Sequence, residues 1–529
     1  QGAWTGGTPV SSNLNTIRFF SAPPTAVPNT TTVTQGSNVN NGGIAFQLAT
    51  LTLSGQAPAA SNQDLTMNVT GDALNFSAAT GIINLDSVDV AANGRNLTWN
   101  INNAIPLGTA SSASTLTLTG NGSSAFNFGG GFTEVQTGGG SKLIKSGSST
   151  TTLSGVVTVS GGLEVNGGVL RLTNASNAIA GGITLNGGSL GDNGGTISTA
   201  TLNNNLITVN GVANLGLTGG ATTSGGITLN TGADLALATN NNSATVNGAV
   251  TGVGSISINR LGGGSHTQNL NSTANTFTGT VSFTATSTAT LNVNSLADSA
   301  SLGAGNIRFV GSAGTNAHTF TLGGGAIAPV TLNNRRIEIV SGSAAAYTIA
   351  NNSSQVFTIN TDLLVGATGA RALTLGGSGA GLSNFGGKIE NGSGTVSITK
   401  SGAGTWVLGG SANTYTGATT ISGGTLVVSK MADYGADSSV GRGTTGTSIA
   451  MGSAASLVYT GTGDDTNRAI DFTAAGFNAA NSVNILNNGT GALNFTAAIF
   501  NTGSSNSNNR FLTLGGTHGG TISGAIRDT

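Results

Sequence analysis

The chain has 529 residues, of which 87 are glycine, 7% are charged and none is cysteine, and its formal net charge is −1. That balance excludes a nucleic-acid binder built on a basic stripe, because neutralising phosphates takes clustered Lys and Arg. The lack of cysteine excludes disulfide staples and thiolate metal sites, and it fits an exported chain that stays uncrosslinked until it is outside.

Polar, glycine-rich chains are often disordered. Here Val, Ile, Leu and Phe recur in short alternating runs from end to end, so the pattern predicts strands. Glycine at this density disfavours helices, at about 1 kcal/mol per position against Ala. No apolar run reaches the roughly 18 residues of a membrane helix, so no membrane insertion is expected. The first residue is Gln1, which reads as a mature terminus left by signal-peptide removal.

In chain order, residues 1–140 are read as an N-terminal cap followed by the first, irregular coils. Pro23-Pro24-Thr25-Ala26-Val27-Pro28 predicts loop or extended chain. Ile44-Ala-Phe-Gln-Leu48 and Leu51-Thr-Leu53 predict strands. Residues 141–529 are read as a repeat-bearing solenoid that ends mid-repeat. Its clearest units are Gly162-Leu-Glu-Val-Asn166, Gly182-Ile-Thr-Leu-Asn186, Leu206-Ile-Thr-Val-Asn210 and Gly226-Ile-Thr-Leu-Asn230. Each is a short alternating strand that runs into a turn.

A unit of this size cannot bury its own apolar face, whereas stacked units can. The expected fold is therefore all-β, a right-handed parallel β-helix of roughly 20–25 residues per coil. With a coil spacing of about 4.8 Å, the whole chain would make a rod on the order of 100–120 Å long. Asn166, Asn186, Asn210 and Asn230 would stack as a ladder of amides, each bond adding about 1 kcal/mol. In the C-terminal half, Arg371-Ala-Leu-Thr-Leu-Gly-Gly377 recurs as Arg510-Phe-Leu-Thr-Leu-Gly-Gly516.

From Thr399-Lys400-Ser401-Gly402-Ala-Gly-Thr-Trp406-Val-Leu408 the chain continues through Ala412-Asn413-Thr-Tyr415-Thr-Gly417 to Ser422-Gly423-Gly424-Thr-Leu-Val-Val428. This stretch resembles the passenger-associated transport repeat of bacterial autotransporters. Ala274-Asn-Thr-Phe-Thr-Gly279 echoes its middle element. Lys145-Ser-Gly147 with Gly161-Gly162-Leu-Glu-Val165 echoes the outer two. The resemblance implies a β-helical passenger at a bacterial cell surface or outside it, and it carries no catalytic residues.

Glycosidase chemistry wants two facing carboxylates, but the glutamates, Glu134, Glu164, Glu338 and Glu390, are far apart in sequence. Asp464-Asp465 reads as a solvated turn. His266, His318 and His518 share no spacing and read as loop residues, so no metal or cofactor is expected. Arg335-Arg336 reads as structural, with one side chain outside and the other buried or at a corner. Trp4, Trp99, Trp406 and Tyr415 read as core or cap aromatics.

The function expected is an extracellular structural or adhesive solenoid, polymerising head-to-tail through open sheet edges. The alternatives are a monomeric passenger adhesin and, third, a carbohydrate-active enzyme. Partners expected are copies of the chain itself, and surfaces or glycans, but no nucleic acid.

Overall fold

In a computed structural model, the structure describes residues 16–21, 30–35, 48–55, 65–71, 73–76, 79–86, 97–191, 205–217, 222–239, 243–260, 265–285, 287–298, 305–310, 316–340, 346–366, 368–472, 482–501 and 511–528. Trp4, the Pro23–Pro28 segment, residues 44–47 and Arg510 lie outside them. The chain falls into two compact units, residues 1–248 and 249–529. Each is a parallel β-helix, and the described residues contain no helix.

In the first unit one sheet climbs from Thr16–Ser21 through Thr50–Gly55, Thr80–Leu85, Thr115–Thr119, Lys142–Lys145, Leu163–Val165 and Ile183–Leu185 to Ile207–Val209 and Ile227–Leu229. A second contains Ala125–Phe128, Thr150–Leu153, Val169–Leu172 and Val212–Gly216. A third, four-stranded sheet holds Ile105–Leu107, Phe132–Glu134, Val157–Val159 and Ala178–Ile179. Pairing is parallel and in register, Leu163 with Ile183 and Ile183 with Ile207.

The strands are short because each contributes only its alternate residues to the core. Ile183-Thr184-Leu185 reads buried, half-buried, buried. A fully buried Leu or Ile is worth about 1.5–3 kcal/mol. One coil buries only a few, so its apolar face is closed by its neighbours above and below.

In the second unit one sheet includes His266–Leu270, Ala289–Val293, His318–Leu322, Ala346–Asn351, Gly369–Gly376, Gly394–Lys400 and Thr419–Ile421. An eight-stranded sheet runs from Val330–Leu332 through Ser383–Phe385, Thr405–Leu408 and Gly424–Val428 to Leu512–Gly516. The core of this unit packs aromatics from more than one sheet: Phe283 on Phe309 at 5.1 Å and Phe357 edge-on to Trp406 at 6.1 Å.

Coil length varies. Asparagines bonded across adjacent coils lie 20 or 24 residues apart near the middle of the first unit. The spacing is 32 residues between Asn68 and Asn100 and 23 between Asn269 and Asn292. The register survives because extra residues loop out at corners while the inward alternation is kept.

Two sequence expectations are corrected. His266 and His318 sit inside strands, not loops, with side chains 3% and 1% exposed. Both pair with Ala289 or its coil, so they share one core column two coils apart. Asp464-Asp465 opens a short strand, Asp464–Thr466, rather than a free turn. Asp464 accepts from the Met431 amide at 2.9 Å and from the Tyr459 hydroxyl at 2.8 Å. Flanking Gly and Thr hid both, because polar strand residues look like loop when the partners come from distant coils.

Candidate functional sites: transport-repeat corners and asparagine columns

Lys400 ends the strand Gly394–Lys400 and points inward, with no exposure at all. Its stem packs in the core and its ammonium caps a corner. Nζ donates to the carbonyls of Ser401 and Gly402, both at 2.9 Å, and of Gly423 at 3.0 Å, one coil on. Lys145 ends Lys142–Lys145 in the same way, fully buried, with Nζ donating to Ser146 O (2.7 Å), Gly147 O (3.3 Å) and Gly167 O (3.5 Å). Burial pulls both ammonium groups down to about 8, so they stay charged at neutral pH.

The glycines follow from this corner. Gly147 and Gly402 turn the chain at φ 69° and 70°, and Gly168 and Gly424 at φ 65°. A Cβ on Gly424 would meet Gly402 O at 2.3 Å and Lys400 Nζ at 2.7 Å. Lys-Ser-Gly and Gly-Gly are therefore two halves of one cage on successive coils.

Trp406 is buried, and its indole nitrogen donates to Gly376 O at 2.8 Å. In the first cage the matching strand, Thr150–Leu153, puts Thr151 at that place, also buried.

Asn413 clamps two coils: Oδ1 accepts from the Ile389 amide at 2.8 Å and Nδ2 donates to Ser439 O at 2.9 Å. Tyr415 is buried, its hydroxyl shares a hydrogen bond with Thr419 at 2.8 Å, and burial pushes its pKa up. A Cβ on Gly417 would lie 2.3 Å from Val396 O. Asn275 plays the same part in its echo, accepting from the Val250 amide at 2.9 Å.

Sequence reading missed a third copy, Asn177-Ala-Ile-Ala-Gly181. There Asn177 accepts from the Val157 amide at 2.8 Å, and a Cβ on Gly181 would meet Gly162 N at 2.5 Å. The signal was present as Asn-x-apolar-x-Gly, but without an aromatic it does not stand out in so glycine-rich a chain.

Two buried arginines span coils. Arg335 donates to the carbonyls of Ala297, Gly279, Gly305 and Phe277 at 2.7–2.8 Å and lies over the Phe277 ring. Arg468 donates to Ala432 O at 2.7 Å and Gly441 O at 2.6 Å under the Tyr434 ring. Together with Arg442, whose amide bonds Tyr415 O, it folds the 430–447 excursion back onto the repeat.

The asparagine column of the first unit is continuous. Asn186 donates to Asn166 at 2.8 Å, Asn210 to Asn186 at 2.7 Å and Asn230 to Asn210 at 2.6 Å. In the second unit a depression of about 350 Å³ is lined by Asn269, Asn271, Asn292, Asn294, Gly323, Gly324, Gly325 and Asn352.

The glutamates are each tied to structure. Glu134 accepts from the Ser141 and Ser160 amides, Glu164 pairs with Lys142, Glu338 with Arg308 at 2.7 Å, and Glu390 with Lys388. Among the described residues no three His, Cys, Asp or Glu side chains converge.

Residues 143–172 and 398–428, which hold the two lysine cages, match the passenger-associated-transport-repeat family. With its parallel β-helical units, the chain is of the autotransporter-passenger type. It is similar to the adhesin BmaC autotransporter of Brucella suis biovar 1 (strain 1330), at 28% identity over 415 residues, which is 75% of this chain and 12% of the relative. The chain thus spans about an eighth of that relative's length. No solved structure matches.

Proposed function

We propose that the chain is an adhesive segment of a passenger displayed at a bacterial cell surface, with no enzymatic activity of its own. The observation that carries this is the similarity of three quarters of the chain to an autotransporter adhesin. Two further features support it. Lys400, Arg335 and Glu338 are engaged in holding coils together. Outward strand positions such as Thr184, Thr208 and Thr228, beside the asparagine column, give a neutral polar stripe suited to many weak contacts.

The test is negative-stain electron microscopy of the purified folded chain, with attachment to host-cell and matrix-coated surfaces measured in parallel. Discrete particles that attach support the adhesive reading. Continuous fibres with no attachment would replace it with a structural filament built through sheet edges.

A further inference from the structure

His266 and His318 face the core from one column. His266 pairs with Ala289, and Ala289 with His318, so one alanine separates the two imidazoles within the column. Their side chains are buried. His318 leans toward the coil before its own: Nε2 lies 3.2 Å from Ala285 O, and the ring stacks on Phe283 at 5.8 Å. The neighbouring inward column starts on Gln268, also buried, whose Nε2 has no hydrogen-bond partner among the described residues.

The same two columns change character further along. The first continues from His318 through Tyr347 and Leu373 to Ile398, and the second from Phe320 through Ile349 to Leu375. In a stack of coils each coil touches only its neighbours, so the cost of opening one locally follows the apolar surface it buries. The coils from His266 to Leu322 put two imidazoles, an alanine and an amide where later coils put Tyr, Leu and Ile.

The surroundings do not favour an imidazolium. Among the described residues no Asp or Glu is buried. Phe283, Phe309 and Tyr347 present rings to this part of the core. Arg308 is paired with Glu338 at 2.7 Å, on the half-exposed side of its strand. Arg335, the buried cation of these coils, is engaged by the carbonyls of Phe277, Gly279, Ala297 and Gly305. Burial lowers the His318 pKa, and the carbonyls of Ala285 and Ser287 offset this only in part. In an open coil the imidazole returns to about 6.5 and takes up the proton first. The opening constant therefore rises as pH falls below that value.

We propose that the coils from His266 to Leu322 form an acid-sensitive hinge in the second unit: mild acid opens them locally, while the coils after them stay folded. Opening unpairs Ala346–Asn351 from His318–Leu322 and so bares a sheet edge only in acid. Nothing in this depends on adhesion.

The test is hydrogen exchange of the full chain at pH 7.5 and 5.0, read by mass spectrometry and corrected for the intrinsic exchange rate. Peptides covering 266–270, 289–293 and 318–322 show an opening constant raised at least about fivefold, against a ceiling of roughly 30-fold for each imidazole. Peptides covering 369–376 and 394–400 change by less than about twofold, because each coil opens on its own terms. The double variant His266→Leu/His318→Phe keeps a filled column and the ring beside Phe283, and it loses the acid response while its circular dichroism at pH 7.5 is unchanged. Equal rises across the whole second unit, no rise at 266–322, or an acid response that persists in the folded double variant overturns the proposal. If the double variant does not fold, the native chain's exchange profile decides alone.

Discussion

Lys400 and Lys145 do in the core what a metal or disulfide does in other small repeats: each ties one turn to the turn of the next coil. Replacing Lys400 with Met keeps the stem's volume and removes the donors from three buried carbonyls. The expected cost is about 1–3 kcal/mol, read as a lowered denaturant midpoint at pH 7. The charge also sets a pH dependence. Burial holds both groups near 8, against 10.5 for an ordinary lysine. From pH 8 upward the folded chain loses these protons before the unfolded chain does. Stability from this source therefore rises between about pH 8 and 10.5. Melting temperatures between pH 8 and 9.5 should climb in the native chain relative to a Lys145→Met/Lys400→Met variant; parallel curves would contradict the assignment.

His318 gives the opposite limb. Burial lowers its pKa, with Nε2 against Ala285 O at 3.2 Å and the ring stacked 5.8 Å from Phe283. As pH falls below the ordinary value of 6.5, the unfolded chain takes up the proton first and stability drops, by at most about 1.4 kcal/mol per pH unit. His318→Phe should flatten that loss between pH 6.5 and 5. Little of this was legible in the sequence. A lysine in Lys-Ser-Gly and a histidine in a Thr-rich run look solvated, and only the column position, set by residues 20–30 places away, buries them.

At the scale of strand and corner, sequence and structure agree where one spacing repeats. The asparagines at 166, 186, 210 and 230 were visible as a column because their strands share a length and a register. Asn186 stands in the middle, donating to Asn166 and accepting from Asn210. Asn186→Ala should lower the unfolding free energy by about 1–2 kcal/mol and leave ligand binding unchanged. An unaltered melt would show that the exposed column adds nothing.

The glycines can be ranked in the same way. Gly424→Ala places a methyl against Gly402 O at a strained φ of 65°, whereas Gly435, at φ 85°, has nothing within 4 Å of its missing Cβ. Both substitutions bear the cost of a Cβ in the left-handed region, roughly 1–2 kcal/mol, so thermal melts should show Gly424→Ala as the clearly more damaging of the two. Corners with inserted loops were less legible. The 430–447 excursion carries no periodic apolar signal, and it is held by Arg468 and Asn413 from coils before and after it.

For the whole molecule, the parallel β-helix could be read from alternation plus repetition, since stacking coils on one another buries the apolar faces of strands as short as three residues. The coil count could not, because coils of 20 and of 32 residues use the same inward pattern and differ only in outward loops. The adhesive reading depends on the outer surface, which sequence alone leaves featureless. The most direct measurement is attachment of bacteria that display this chain, compared with the same cells displaying an unrelated β-helical passenger, on host-cell and matrix-coated surfaces. The account predicts higher retention of the displaying cells, abolished by excess soluble folded chain. Equal retention of both strains, unaffected by the soluble competitor, would contradict it.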